Sequence, residues 1–235
     1  MSSDLKVTNI KHESSSSNNL VLGSDGSASF PSTTIGGLKS MQVFTSTGTS
    51  TWTKPSGVRR VKVIVTGGGG GGGATNTDDM ANGGGAGGTA IKVIDVTSVS
   101  SVSVTVGAGG AGGGNTNPTS GATGGTSSFG SYCSATGGDR TGGGWAMGGH
   151  GGSGSGGDIN IVGSDGIGGL IDNTGSHQAA GTGGASYWGQ GGKGSTRSTD
   201  GGRDGQAFGS GGGGRADSDG GRAGAPGIVV VEEYI

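Results

Sequence analysis

The stretch that decides the fold is a glycine-rich run over residues 107–227, termed the glycine sector. It opens as Gly107-Ala108-Gly109-Gly110-Ala111-Gly112-Gly113-Gly114 and closes as Gly221-Arg222-Ala223-Gly224-Ala225-Pro226-Gly227. Glycine has no Cβ and loses more backbone freedom on folding than any other residue. Ordering a residue costs roughly 1 to 2 kcal/mol, and this sector buries few side chains in return. Ordinary core packing therefore cannot hold it together.

Two states remain for such a sector: disorder, or an ordered bundle whose backbone groups satisfy one another. A polyproline-II strand has three residues per turn and no internal hydrogen bonds, so its N–H and C=O groups point outward to neighbouring strands. Glycine lets those neighbours approach closely, and every buried backbone group needs a partner. We predict the ordered bundle, with the shorter glycine runs at 67–73 and 83–88 joining it.

The segments that flank the glycine runs have the period-two alternation of β-strands. Val61, Val63 and Val65 alternate with Arg60, Lys62 and Ile64, so one face is apolar and the other mixed, and Ser101 to Val106 alternates valine with serine or threonine. Further strands are predicted at Met41–Phe44, Thr51–Thr53 and Thr89–Val96.

The last strand, Ile228 to Ile235, follows the whole glycine sector. Its β-branched residues need sheet partners, and the other strands of this region lie between residues 41 and 106. The fold class is therefore mainly β: a small β-sandwich framework (41–106 plus 228–235) carrying a glycine-rich polyproline-II bundle (67–88 and 107–227).

Composition excludes several classes of protein. The chain has 235 residues, 64 of them glycine and only 28% hydrophobic, without the strict every-third glycine and the many prolines of collagen. The net charge of −2 provides no electrostatic footprint for nucleic acid. The N-terminus has no apolar signal-peptide core, so we expect synthesis in a cytoplasm without export by that route.

Residues 1–38 form a first module. Asn19 to Leu22 and Ser27 to Phe30 flank the turn Gly23-Ser24-Asp25-Gly26, which predicts a small hairpin. The segment Leu5 to Glu13, the serine run 14–17 and Asn18 to Ser27 resemble the start of bacteriophage tail-fibre and other virion structural proteins. That resemblance implies a module that attaches to other virion proteins of the tail or capsid.

The second module, residues 39–235, carries a more specific resemblance. Its motifs are Thr51-Trp52-Thr53-Lys54-Pro55-Ser56-Gly57-Val58, then the strand Val61 to Val65 running into Gly67 to Gly73, Val102 to Gly110, Gly125 to Gly130, and Gly224-Ala225-Pro226-Gly227-Ile228-Val229-Val230-Val231-Glu232. In this order they resemble the glycine-rich domain of phage tail fibres and tail-tip adhesins. The resemblance implies a polyproline-II sandwich whose tip loops bind the host.

The resulting functional hypothesis is a tail fibre or tail-tip adhesin on the virion surface. Its expected partners are its own copies in a homotrimer and a bacterial surface glycan or outer-membrane protein. The first alternative is a capsid decoration or head-fibre protein with the same architecture and no receptor. An ice-binding bundle is disfavoured because it needs a flat face with strict three-residue spacing.

Aromatic, histidine and apolar side chains that interrupt the glycine sector are the candidate receptor contacts. They either cap the bundle or form exposed platforms that stack on sugars or dock on a protein; Phe129 alone is assigned to packing. The longest glycine-poor interruption, Asp158 to Ala180, is predicted to be a variable tip loop. The tentative receptor-binding set is Trp145, His150, Ile167, His177, Tyr187, Trp188 and Phe208.

Catalytic and cofactor chemistry is not expected. Gly67 to Gly73 matches a dinucleotide-binding turn only trivially, because no helix follows it, and in Gly191 to Thr196 a glycine separates Lys193 from the hydroxyl residues. The acidic loops lack a calcium motif and are assigned to turns. Cys133 is assigned to packing. We therefore predict no enzyme, no cofactor and no metal.

Overall fold

The computed structural model describes residues 9–10, 20–22, 28–29, 37–75, 81–114, 119–141, 147–171, 178–196, 201–215 and 220–235. In the first module, β1 (Asn9–Ile10), β2 (Leu20–Leu22) and β3 (Ala28–Ser29) form an antiparallel sheet in the order β1-β2-β3. The predicted hairpin is confirmed by the pairing of β2 with β3. Strand β1 was not predicted, since its two residues, Asn9–Ile10, are too few to show the period-two alternation of a β-strand.

Two five-stranded antiparallel sheets make the β-framework. The first sheet contains, in spatial order, β11 (Gly154–Ser155), β10 (Cys133–Ala135), β9 (Ser127–Phe129), β8 (Ser101–Val106) and β5 (Gly48–Thr53). The second sheet contains β12 (Ile159–Ile161), β7 (Thr89–Asp95), β6 (Arg60–Thr66), β15 (Ile228–Tyr234) and β4 (Leu38–Phe44). A separate pair joins β13 (Leu170–Ile171) to β14 (Gln178–Ala179).

The hydrophobic core lies between the two sheets. Valines at alternate positions of β6, β8 and β15 point into it, as the period of two predicts. Trp52 and Phe129 are fully buried there, with ring centroids 5.7 Å apart. The packing prediction for Phe129 is confirmed, and so is the return of the C-terminal strand, because β15 lies between β6 and β4.

The glycine runs are extended segments that hydrogen-bond sideways to one another. Successive N–H groups of Gly67, Gly68 and Gly69 donate to Gly88, Gly125 and Ala225, which belong to three different neighbouring segments. Gly70, Gly71 and Gly72 then donate to the same three segments, at Gly85, Ala122 and Arg222. The hydrogen-bonding pattern thus repeats every three residues.

Three segments, residues 67–75, 81–88 and 209–215, form the buried centre of the bundle. Residues 67–73 donate to three neighbouring segments and accept from three more, which contain Gly110, Gly138 and Gly212. Close approach requires glycine here: a Cβ on Gly71 would lie 1.9 Å from the carbonyl oxygen of Ala111. The prediction that backbone hydrogen bonds hold the glycine sector together is therefore confirmed.

The bundle has a sheet end and a far end. Segment 67–75 follows directly after β6, and Thr66, the last residue of β6, pairs with Ile228, the first residue of β15. At the opposite ends of the strands of the second sheet, Tyr234 of β15 pairs with Leu38 of β4. Leu38, at the start of β4, and Tyr234, at the end of β15, therefore lie on the side of the sheets that faces away from the bundle.

Part of the predicted tip loop, Asp158 to Ala180, is wrong. Ile159–Ile161 is the edge strand β12, paired with β7 in the second sheet, and residues 163–167 belong to the rim of the bundle. Short strands also occur inside the glycine sector, at β9, β10 and β11. They form because each return of the chain to the sheet end brings a few side-chain-bearing residues beside β8 and β7.

Candidate functional site

The far end of the bundle, opposite the sheets, brings together Ala74, Thr119 and Arg215, which lie on three different segments. Lateral hydrogen bonds join these segments. Ala74 N–H donates to the Thr119 carbonyl at 3.0 Å, and Thr75 N–H donates to the Arg215 carbonyl at 3.1 Å. Two predicted receptor contacts, Trp145 and His177, lie outside the described residues.

His150 and Asp165 meet on the flank of the bundle. Nδ1 of His150 lies 3.5 Å from Oδ2 of Asp165, and their side chains are 76% and 62% exposed. Asp165 Oδ1 also accepts the Gly151 N–H at 2.8 Å. The pKa of Asp165 is lowered, first by that backbone hydrogen bond and then by His150. The carboxylate is therefore ionised and oriented at neutral pH.

A groove of about 490 Å³, termed the flank groove, lies beside this pair. Residues 182–185 form its floor. Its walls carry Asp165 and Ile167 on one side and Gln190 and Lys193 on the other. Ile167, one of the predicted contacts, is 62% exposed. The volume of the flank groove falls in the range of small-molecule pockets.

A second groove of about 420 Å³ lies on the other side of His150. Thr123, Asp139, Arg140 and Met147 line it together with His150. Met147 is 82% exposed. His150 and Asp165 thus form the ridge between two grooves on one flank.

Tyr187, Trp188 and Phe208 lie at the sheet end, where the bundle meets the second sheet. Trp188 Nε1 donates to Thr66 Oγ1 at 2.9 Å, and the indole packs on Ile64, Ile228 and Val230. Tyr187 stacks edge-on against Trp188, with ring centroids 5.2 Å apart, and is 49% exposed. The Phe208 carbonyl accepts the Ser186 hydroxyl. Of the two roles considered for these aromatics, Trp188 has the packing role.

The predicted receptor contacts therefore do not form one cluster in the described chain. Tyr187, Trp188 and Phe208 are at the sheet end, whereas His150 and Ile167 are on the flank. Sequence reasoning missed Asp165, Gln190 and Lys193 as lining residues. Gln190, Lys193 and Thr196 are all exposed and are spaced by three, which is the signal that could have marked one outward row of the bundle.

The described residues contain no group of three or more His, Cys, Asp or Glu side chains placed to hold a metal ion. Burial raises the pKa of the Cys133 thiol to about 11, so this buried cysteine is a protonated packing residue at neutral pH. Within the ranges described, no helix has the length and apolar character needed to cross a membrane.

Comparison with known proteins adds one match. A family model described as a glycine-rich domain matches residues 45–234, which include the bundle and the strands of the two five-stranded sheets other than β4. No curated protein matches the sequence.

Proposed function

Because this chain belongs to the glycine-rich domain family, whose model covers residues 45–234, we propose that it is a virion-borne fibre or tail-tip adhesin that meets the bacterial surface with its bundle. Residues 1–38 attach it to other virion proteins. The observation that carries the proposal is that the domain has two opposite ends, one next to residues 1–38 and one at the far end of the bundle. The domain is entered beside Leu38 on the side of the sheets away from the bundle, whereas Ala74, Thr119 and Arg215 are joined by hydrogen bonds at the opposite, far end.

This arrangement suits a receptor-binding domain that is attached to a particle at one end. A module that precedes Leu38 is joined to the domain behind the sheets, so the far end is directed away from the attachment point. Main-chain hydrogen bonds fix the segments, so residues at their ends are presented by a rigid support rather than by a flexible chain. Trp145 and His177, outside the described residues, stay predicted contacts.

We infer that the bundle segments are polyproline-II helices. Their hydrogen bonds rotate through three neighbours and return after three residues, which is the repeat of that conformation. Every inner N–H of 67–75 has a carbonyl partner at 2.8 to 3.1 Å. A lattice of this kind gains its rigidity from the backbone.

We further propose that the chain works as a homotrimer whose copies meet at the outer face of the second sheet. An apolar row crosses that face in register, with Ile159, Ile91, Ile64, Val230 and Val43 on successive strands. Ile159 is 56% exposed, Val43 is 48% exposed, and the neighbouring Met41 is 57% exposed. Trp188 covers Ile64 and Val230 in the middle of the row, so the exposed apolar side chains lie toward its two ends. Exposed apolar patches commonly mark an interface. Several copies would combine weak contacts through avidity.

Infection blocking tests the adhesin. Bacteria are incubated with the purified protein and then infected with the particle that carries it. We expect the folded protein to bind the cells and reduce plaque number, while heat-denatured protein does neither. No binding by folded protein, together with immunogold labelling on the capsid, would replace the adhesin with the capsid-decoration alternative.

Light scattering after size exclusion tests the oligomer. We expect a trimer for the native chain and a monomer for Met41→Lys with Val43→Lys, which adds charge to the outer face. Leu170→Lys is the control because Leu170 is 73% exposed and lies far from that sheet. A native monomer, or a trimer that survives both lysines, would contradict the assembly.

A further inference from the structure

We propose that the flank groove binds a neutral, polyhydroxylated sugar unit of a surface glycan, with Asp165, Gln190 and Ile167 as its contacts. The proposal rests on the adhesin function proposed above and names a ligand class and a site on the flank of the bundle.

The groove exists because its floor is set back between two neighbouring segments. Ile167 N–H donates to the Thr182 carbonyl at 2.9 Å, and Ser164 N–H donates to Ala185 at 3.1 Å. On the other side, Gly183 N–H donates to Gly192 at 2.8 Å. Both walls are thus fixed to the floor by the backbone, and binding would require little ordering of the protein.

Side chains on the walls supply the recognition. Asp165 presents an oriented carboxylate that is 62% exposed and can accept hydroxyl hydrogens. The Gln190 amide both donates and accepts, and the Lys193 ammonium donates. Ile167, 62% exposed, offers an apolar surface to the C–H face of a sugar ring. This mixture of acceptors, donors and one apolar contact matches a ring that carries many hydroxyl groups.

Other ligand classes fit the groove less well. A peptide strand that adds by main-chain pairing needs free amides, but the floor amides of Gly183 and Gly184 already donate to Gly192 and Gly84. A polyanion such as nucleic acid would meet the Asp165 carboxylate and, among the lining side chains, one cation, Lys193, on a chain that carries a net charge of −2. Neutral hydroxyl-rich ligands avoid both penalties.

Variants can fill the groove without disturbing the bundle. The Ala185 side chain is exposed on the floor, so Ala185→Leu occupies the groove. Ala111 is likewise an exposed alanine on the rim, on segment 107–114 and outside the groove, so Ala111→Leu is the matched control. Gln190→Ala and Ile167→Ser remove one polar and one apolar contact. Circular dichroism and thermal unfolding check that all variants fold.

The test uses the full chain and a printed panel of purified bacterial polysaccharides and neutral oligosaccharides of glucose, galactose and mannose. Any glycan that binds is then titrated calorimetrically. We expect Ala185→Leu, Gln190→Ala and Ile167→Ser to weaken binding at least tenfold, and Ala111→Leu to stay within twofold. Binding by no glycan on the panel, or equal binding by the groove variants, overturns the proposal.

Cell binding separates this proposal from the adhesin itself. If the native chain and Ala185→Leu bind bacteria equally well, the groove proposal fails and the adhesin stands. If the native chain binds a panel glycan through the groove but neither binds cells nor blocks infection, the groove stands and the adhesin fails.

Discussion

Trp52 and Glu233 meet in the interior of the sandwich, 181 positions apart in sequence. The indole Nε1 donates to Glu233 Oε1 at 2.7 Å, and both residues are fully buried. Gln42 Nε2 donates to the same oxygen at 2.7 Å, and the Ser40 hydroxyl donates to Oε2. One carboxyl group thus joins β5 of the first sheet to β4 and β15 of the second.

Glu233→Ala should destabilise the protein by about 3 kcal/mol or more, because the buried Trp52 and the half-buried Ser40 and Gln42 lose their acceptor. Glu233→Gln keeps an amide oxygen for Trp52 and Gln42, so its loss should be at most about half as large. Denaturant unfolding followed by Trp fluorescence measures both. Equal losses for the two variants would show that the hydrogen bonds to Glu233 contribute little.

Gly71→Ala and Gly114→Ala should differ sharply. A Cβ on Gly71 would lie 1.9 Å from a backbone oxygen, whereas the nearest atom to a Cβ on Gly114 is 3.9 Å away. We expect Gly71→Ala to destabilise by about 3 kcal/mol or more through overpacking of fixed backbone, and Gly114→Ala to change stability by less than about 0.5 kcal/mol. Thermal unfolding measures the pair, and similar melting temperatures would contradict a close-packed bundle.

Amide exchange should be slowest in the buried centre of the bundle. Each N–H group of residues 67–75 donates to a carbonyl, and all of these residues are buried. They should exchange at least roughly 100-fold more slowly than the amide of the exposed Gln206. Hydrogen–deuterium exchange with mass spectrometry provides the measurement. Fast exchange throughout 67–75 and 81–88 would rule out the backbone-built scaffold.

Trp188→Phe should lower stability by about 1 kcal/mol, since it removes the indole hydrogen bond to Thr66 while keeping most of the apolar contact. Tyr187→Phe is the control, because Tyr187 is 49% exposed and its ring is retained. Chemical denaturation compares them. A native-like Trp188→Phe with reduced cell binding would instead assign Trp188 a role in receptor contact.

Acid should weaken the fold partly through Glu232. Its pKa is lowered, first by the Tyr234 hydroxyl and then by Lys62, whose Nζ lies 3.3 Å away. A lowered folded-state pKa contributes stability above the ordinary value of 4.5, and that stability is lost as pH falls through the folded pKa.

Tyr234→Phe removes the larger of these causes. We expect it to cost at most about 1 kcal/mol at neutral pH and to flatten the acid side of the stability profile below about pH 4.5. The pKa of Tyr234 itself is raised by Glu232, so its contribution is present below pH 10.0 and is lost as pH rises through the folded value. Melting temperatures across pH measure both, and parallel acid profiles for the two proteins would contradict the assignment.

The candidate site was only partly accessible from sequence. Exposed side chains could be recognised where they interrupt glycine, as with His150 and Ile167. Their neighbours could not, because a repeat of three fixes the direction of a side chain around its own segment and leaves open which segment lies beside it. Lys193 reaches the same groove as Asp165 only through the path of the chain between them.

The sequence by itself determined the two building principles of this protein. Alternating valines specify strands with one buried face. Glycine has no side chain, so the N–H and C=O groups of the glycine segments must hydrogen-bond to one another. The tertiary structure decided the order of segments in the bundle, the meeting of Trp188 with Thr66, and the burial of Glu233 beside Trp52. Glycine segments are chemically alike, so their sequence does not encode which of them become neighbours; the turns and strands at the sheet end do.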